Sequence, residues 1–425
     1  MSNVLEFPAA PDDQALRAQQ IEEVRRMLRY PQSAYEEHNG HRVLQAHASP
    51  HGWLENVETV LLQDPFFRYR IVYDAFADVI RVDGVPLRDE DLTRLRLQLA
   101  TTYELRVSQQ VVAEVLAYVT KQKLDHAHPV REYLQDLQWD GRARVRMLLP
   151  DYAGTADTGI ARVLSLRFMI ACVARAMQPG CKSDCVLVLA GKQGIGKSTF
   201  FRTLCGAEWF RDDAIDLRSK DAMLAIQGCW IYELAELAST RTRENETVKA
   251  FLSRSTDSYR PPYARCLVTV PRSSIFVAST NEASFLRDPT GARRFWPIEA
   301  TTPNLRALHK DRDQLWAEAV HLWESGQQWH LTDSEEALLR EAQEQYQHED
   351  PWLQPLREWL AAPANRCARG YTIAELLDRA IQKATDQQSR YDEMRLGTCL
   401  VQIGYVKRRR TVDGKRVMLW QRADG

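Results

Sequence analysis

Residues Gly191-Lys192-Gln193-Gly194-Ile195-Gly196-Lys197-Ser198-Thr199 carry the spacing G-x-x-x-x-G-K-[ST]. They stand between the apolar run Cys185-Val186-Leu187-Val188-Leu189-Ala190 and a stretch that opens a helix near Lys197. The placement matters as much as the letters, because a phosphate-binding loop works only between a buried strand and a helix N-terminus. Glycines let backbone N–H groups wrap a phosphate, and the helix end adds partial positive charge. Lys197 is expected to reach the β- and γ-phosphates, and Ser198 to hold Mg²⁺. Gly191, Gln193, Gly194, Ile195, Gly196, Lys197, Ser198 and Thr199 are therefore the candidate nucleotide cradle, with ATP and Mg²⁺ as the expected cofactors.

Hydrolysis needs an acid at the end of a second buried strand, to hold the metal and polarise the attacking water. The run Cys229-Trp230-Ile231-Tyr232-Glu233 offers Glu233 for both duties, metal and water. Glu236 supplies a second carboxylate, so that one of the two can serve the metal and the other the water, with a solvated helix-start glutamate as the alternative. A third apolar run ends at Ser279-Thr280-Asn281, where the Asn281 amide can reach a γ-phosphate or the lytic water. Arg287, Arg293 and Arg294 follow in a turn-rich stretch. A guanidinium presented there can neutralise transition-state charge on a nucleotide in the same or a neighbouring subunit, and the trans arrangement requires a ring. Surface ion pairing is the alternative for each arginine.

Between the second and third strands, Lys249 lies in a helical run. Tyr259-Arg260-Pro261-Pro262-Tyr263-Ala264-Arg265 and Leu267-Val268-Thr269-Val270 then read as a hairpin. Arginine can meet phosphate and tyrosine can stack on bases, so Lys249, Arg260, Tyr263 and Arg265 are candidates for tracking single-stranded or forked DNA. A purely structural hairpin satisfies the same residues.

These groups need elements to position them. The chain has 425 residues, enough for two or three domains. Residues 1–52 read as a flexible N-terminal segment, within which His38, His41, His47 and His51 lie in a solvated loop. Residues 53–150 read as a small α+β domain with a hairpin around Asp83-Gly84 and two amphipathic helices. Residues 151–349 form the α/β core, and Asp350-Pro351 marks the start of a last module, 350–425. Its two helices followed by a two-stranded wing resemble a winged-helix domain. Lys407, Arg408, Arg409 and Arg410 give the wing a local basic excess suited to duplex phosphates. The alternative is a basic edge strand that discourages aggregation.

Lys and Arg number 56 against 57 Asp and Glu, for a net charge of -1, so no uniformly polyanion-binding surface is expected. The N-terminus has no signal-peptide pattern, and no apolar run approaches the roughly 20 residues of a membrane span. A cytoplasmic chain with no membrane partner is expected. Of 8 cysteines, Cys181 and Cys185 form a close pair without a second pair at zinc-knuckle spacing, so no structural zinc is expected.

In its motif phrases the chain resembles the virulence-associated protein E family of phages and mobile genetic elements, whose ATPase core is similar to superfamily 3 helicases of the AAA+ kind. The phrases that carry the resemblance are Pro179-Gly180-Cys181-Lys182-Ser183-Asp184, the glycine loop, Glu233-Leu234-Ala235-Glu236, Phe251-Leu252-Ser253-Arg254, Tyr259-Arg260-Pro261-Pro262-Tyr263, Thr280-Asn281-Glu282 and Asp288-Pro289-Thr290-Gly291-Ala292-Arg293-Arg294-Phe295-Trp296. The upstream phrases His128-Pro129-Val130-Arg131-Glu132-Tyr133-Leu134 and Trp139-Asp140-Gly141 extend it to roughly residues 55–350. The resemblance implies Lys197 and Ser198 for phosphates and Mg²⁺, Glu233 for the acidic motif, Asn281 as the sensor, and Arg293 or Arg294 as the finger. One departure is Leu234, where superfamily 3 members often place a second acid. Some relatives carry a primase domain upstream, yet residues 1–150 show neither a zinc-binding cysteine set nor clustered carboxylates, so priming is not expected.

The expectation is an ATP-driven, DNA-acting motor in replication of a mobile element, working as a homo-oligomeric ring on single-stranded or forked DNA, with origin duplex as a further partner. Its rival is a nucleotide-controlled switch that places the basic tail on an origin or a partner protein. A small-molecule kinase on the same loop would leave the arginines, hairpin and wing idle.

Overall fold

The computed structural model describes residues 14–423 apart from 40, 46–48, 125, 218, 220, 235–241, 261–265, 283–285, 287–291, 347–349, 366–369 and 413–414. It divides into two compact units, residues 1–281 with 293–342 and residues 282–292 with 343–425.

The first unit is built on a five-stranded parallel sheet in the order Phe295–Glu299, Val186–Ala190, Ile275–Thr280, Ile231–Leu234, Phe210–Arg211. In chain order this is 5-1-4-3-2. The strand Val186–Ala190 is buried at every position, as a central parallel strand covered on both faces must be. Because all the strands run the same way, their carboxyl ends share one edge. The chain crosses over beside the first strand, which is where open α/β sheets leave a crevice for ligands.

Helices Gly159–Met177 and Leu305–Glu324 supply apolar residues to the same core as the first strand. Two buried tryptophans, Trp230 and Trp316, pack with ring centroids 4.3 Å apart. Trp230 Nε1 donates to Cys172 O at 3.0 Å, and Trp316 Nε1 to Leu204 O at 2.8 Å. These bonds satisfy the only polar atom of each ring, which burial would otherwise penalise.

The same unit carries an N-terminal layer. A four-stranded sheet, ordered Val85–Pro86, Val79–Val82, Ile71–Asp74, His126–Ala127, lies with helices Leu54–Gln63, Asp89–Tyr103 and Gln109–Gln122 around a second core. Within residues 1–52, where a flexible segment is expected, helix Gln14–Met27 is packed on this layer. Helix Gln14–Met27 contributes Val24 to that core, with Leu28 just beyond it, and Arg17 pairs with the buried carboxylate of Asp64. Burying two apolar residues and one ion pair gives this charged helix a fixed seat that its weak periodicity did not advertise. His38 and His41 lie in an exposed antiparallel ribbon, Tyr35–His38 with His41–Leu44, and His51 stacks on Trp53 at 3.9 Å. His47 lies outside the described residues.

In the second unit, helices Leu353–Ala361, Ile373–Arg379 and Arg390–Gln402 precede an antiparallel pair, Tyr405–Val412 with Lys415–Arg422. Thr372 with Glu375 and Ser389 with Asp392 form capping boxes that fix two helix starts. Gly397 of the last helix faces the Trp420 ring, and Trp420 is buried in the core of this unit. Among the described residues no helix is long and apolar enough to cross a membrane.

Candidate active site

The glycine loop leaves its strand tied on both sides. Gly191 N donates to Thr280 O at 3.0 Å, and Ala300 N donates to Ala190 O at 2.7 Å. The approach is so close that a Cβ on Gly191 would lie 2.3 Å from Ala300 O, so only glycine fits. Gly194 and Gly196 take left-handed backbone, with φ of +82° and +96°. That conformation curls the loop over the start of helix Lys197–Cys205, whose first backbone N–H groups lack intrahelical partners.

Lys197 is the first residue of this helix and is buried. Its Nζ donates to Gly191 O at 2.7 Å and Lys192 O at 2.8 Å, so the ammonium sits inside the loop's own curve. Burial pulls its pKa down, and the charge of Glu233 acts the other way. Next along, Ser198 Oγ donates to Glu233 Oε1 at 2.9 Å.

Glu233 belongs to strand Ile231–Leu234, in register with Val277 of the neighbouring strand, and is 4% exposed. Its second oxygen, Oε2, is buried with no hydrogen-bond partner among the described residues. Burial raises its pKa above the ordinary carboxylate value, Ser279 and Ser198 draw it back, and Asp212 adds a further upward push. An ionised carboxylate with one unpaired buried oxygen is costly, so each such group calls for an explanation. A hydrated divalent cation would satisfy this one. Ammonium, hydroxyl and carboxylate thus converge at the switch-point edge, and the donor set fits a magnesium-bound triphosphate.

Asn281 follows Thr280 at the tip of its strand and is exposed. Thr280 is paired in register with Ala190, so Asn281 stands level with the start of the loop. Arg293 and Arg294 differ in their surroundings. The Arg294 guanidinium lies 3.2 Å from Asp184 Oδ2 and donates to Ser253 Oγ at 3.2 Å, whereas Arg293 is exposed.

Of the candidate nucleic-acid residues, Arg260 is exposed at the end of strand Thr256–Tyr259, which pairs antiparallel with Val268–Pro271. Lys249 departs from expectation. It lies on the inward face of helix Thr242–Leu252, 9% exposed, and is not offered to a polymer. Lys407, Arg408, Arg409 and Arg410 are all exposed on strand Tyr405–Val412. Glu236, Tyr263, Arg265 and Arg287 lie outside the described residues.

Two groups beside the loop escape motif reading. Ser279 precedes the strand end, and Asp212 follows the two-residue strand Phe210–Arg211, too short to show any periodicity. Asp212 comes one residue beyond Arg211, the register partner of Tyr232, and so stands beside Glu233. Arg202 Nη2 donates to Asp212 Oδ2 at 3.1 Å. The adjacent pair Asp212-Asp213 after an aromatic-basic dipeptide is the signal that could have drawn notice.

The family model of the virulence-associated protein E-like domain matches residues 134–348. Among solved structures, the apo C-terminal region of NrS-1 is similar, with 12% identity, a TM-score of 0.39, and coverage of 82% of this chain and 95% of that one. Its A form gives 12% identity and a TM-score of 0.44 over 83% of this chain and 96% of that one. Neither likeness, at this identity and TM-score, informs the site's chemistry. No curated protein matches.

Proposed function

The chain belongs to the virulence-associated protein E-like family, and from that premise we propose that it is an ATP-hydrolysing motor acting on DNA, of the superfamily 3 helicase type, serving replication of a mobile element. The observation that carries the reading is the Ser198–Glu233 hydrogen bond beside the glycine loop, with Glu233 Oε2 left unpaired among the described residues.

In this reading Gly191, Gln193, Gly194, Ile195, Gly196 and Thr199 form a P-loop that binds the phosphates of ATP. Lys197 exchanges its two loop carbonyls for β- and γ-phosphate oxygens. Ser198 and Glu233 hold Mg²⁺, which when bound supplies neutralisation of phosphate charge. Glu233 orients the lytic water and holds its proton, and Glu236 is available as a second carboxylate. Asn281 hydrogen-bonds the γ-phosphate or that water. Arg293, outside the contacts that hold Arg294, is the better finger for a nucleotide on a neighbouring subunit, which makes a homo-oligomeric ring the active form.

DNA contact is assigned to the hairpin, through Arg260, Tyr263 and Arg265, and to a winged-helix module whose strand presents Lys407, Arg408, Arg409 and Arg410. Single-stranded or forked DNA suits the hairpin, and origin duplex suits the wing.

The reading is tested by ATP turnover with and without single-stranded and forked DNA, across protein concentration, with mass determined in parallel. Turnover that rises with DNA and with assembly supports it. Turnover flat to both favours a switch, in which ATP binding places the basic strand of the separate second unit on duplex.

A further inference from the structure

We propose that Asp78 of the N-terminal layer is a positioning residue for the DNA-facing hairpin, holding that hairpin's register through Tyr259. The inference rests on the hairpin assignment above.

Asp78 sits in the turn between strands Ile71–Asp74 and Val79–Val82, with left-handed backbone at φ +53°. The turn is pressed against the core. Gly228 N donates to Phe76 O at 3.2 Å, and a Cβ at Gly228 would stand 2.9 Å from Ala77 Cβ. The Asp78 side chain is 5% exposed and accepts three hydrogen bonds. Tyr73 Oη and Lys121 Nζ, the latter at 2.7 Å, come from its own layer and fix the carboxylate in place. The third donor is Tyr259 Oη at 2.6 Å, from the hairpin.

The hairpin strand Thr256–Tyr259 alternates exposed and buried. Its two inward residues, Asp257 and Tyr259, are both polar-anchored. Asp257 forms a fully buried ion pair with Arg272, which also donates to Phe251 O at 2.6 Å and lies over the Phe251 and Phe276 rings at 4.6 and 5.3 Å. Asp257 ties the strand to the ATPase core, and Tyr259 ties it to the N-terminal layer. Apolar inward residues would bury as well but tolerate slippage by two, whereas two directional anchors specify one register. The residue after Tyr259 is Arg260, exposed, and Leu267, 69% exposed, immediately precedes Val268, the register partner of Tyr259. Fixing Tyr259 therefore fixes the direction in which Arg260 leaves the surface. This gives the N-terminal layer a task that its own residues did not suggest.

The experiment uses the full chain with Tyr259→Phe, Asp78→Asn and the pair, measuring anisotropy of a labelled oligothymidine and ATP turnover with and without it. Each single variant is expected to bind the oligonucleotide about tenfold more weakly, the scale of one charge-assisted hydrogen bond. The pair should be no worse than Asp78→Asn alone, because an amide nitrogen in place of Oδ2 already loses the Tyr259 hydrogen bond, together with the Lys121 ion pair, and removing the Tyr259 hydroxyl then takes away nothing more. Turnover without DNA should stay at the wild-type level, which a general loss of packing would not allow. Wild-type binding retained in both variants overturns the inference, and so does a parallel fall in DNA-free turnover. A wild-type chain that does not bind the oligonucleotide overturns the hairpin assignment and this inference together.

Discussion

Ser198 Oγ donates to Glu233 Oε1 at 2.9 Å, across the gap between the first helical turn after the glycine loop and the third strand of the sheet. The bond ties the two groups expected to share a metal before any metal arrives. It leaves Oε2 buried and unpaired among the described residues, and burial holds the Glu233 pKa above the ordinary value.

A raised acid pKa means that ionisation is harder in the folded protein than in the unfolded chain. Stability is then fully present below the ordinary glutamate pKa and declines as pH rises through the folded value. Glu233→Gln removes the charge and should stabilise the nucleotide-free protein by about 1–3 kcal/mol at neutral pH. The gain should shrink as pH falls through that window. Melting curves of both proteins across pH check it.

Gly191→Ala should destabilise the protein by about 2 kcal/mol or more, since its Cβ would meet Ala300 O at 2.3 Å and a backbone carbonyl cannot yield as a side chain can. Gly194→Ala meets nothing within 4 Å and carries only the strain of its left-handed φ. It should cost about 1 kcal/mol. Chemical denaturation of both variants separates the two effects.

Arg293→Ala should abolish turnover with little change in melting, because its exposed side chain has no hydrogen-bond or ion-pair partner among the described residues. Arg294→Ala should cost at most about 1 kcal/mol of stability through its partly exposed pair with Asp184. If Arg293 acts on a neighbour's nucleotide, mixing Arg293→Ala with Lys197→Ala subunits restores part of the turnover, since each supplies what the other lacks. No recovery on mixing would place the finger elsewhere.

Replacing Lys407, Arg408, Arg409 and Arg410 by Ala should weaken duplex binding. It should also flatten the dependence of log affinity on log salt by up to about 0.9 for each phosphate no longer neutralised. Titrations at several salt concentrations measure both, and an unchanged slope would leave the strand a solvated edge.

Much of the site was legible because its chemistry is local. Gly191 to Ser198 sit within one strand-loop-helix unit, and the apolar runs ending at Glu233 and Thr280 fit buried parallel strands by composition alone. The hairpin base and the last two helices followed the same rule. What escaped depended on partners distant in sequence. Nothing near Tyr259 announces Asp78, and Lys249 reads as a surface cation until its helix is packed with that face inward. The seat of helix Gln14–Met27 depends on Asp64 and on a core assembled from residues far along the chain. The strand Phe210–Arg211 is shorter than any period.

The most direct test is phosphate release from Mg²⁺–ATP by the wild-type chain, Lys197→Ala and Glu233→Gln, with nucleotide binding measured on the same preparations. Hydrolysis by wild type, binding without hydrolysis by Glu233→Gln, and loss of both by Lys197→Ala are the predicted results. Near-normal turnover in either variant, or none in the wild type under any condition of DNA or assembly, would contradict the assignment of this loop and carboxylate as an ATPase site.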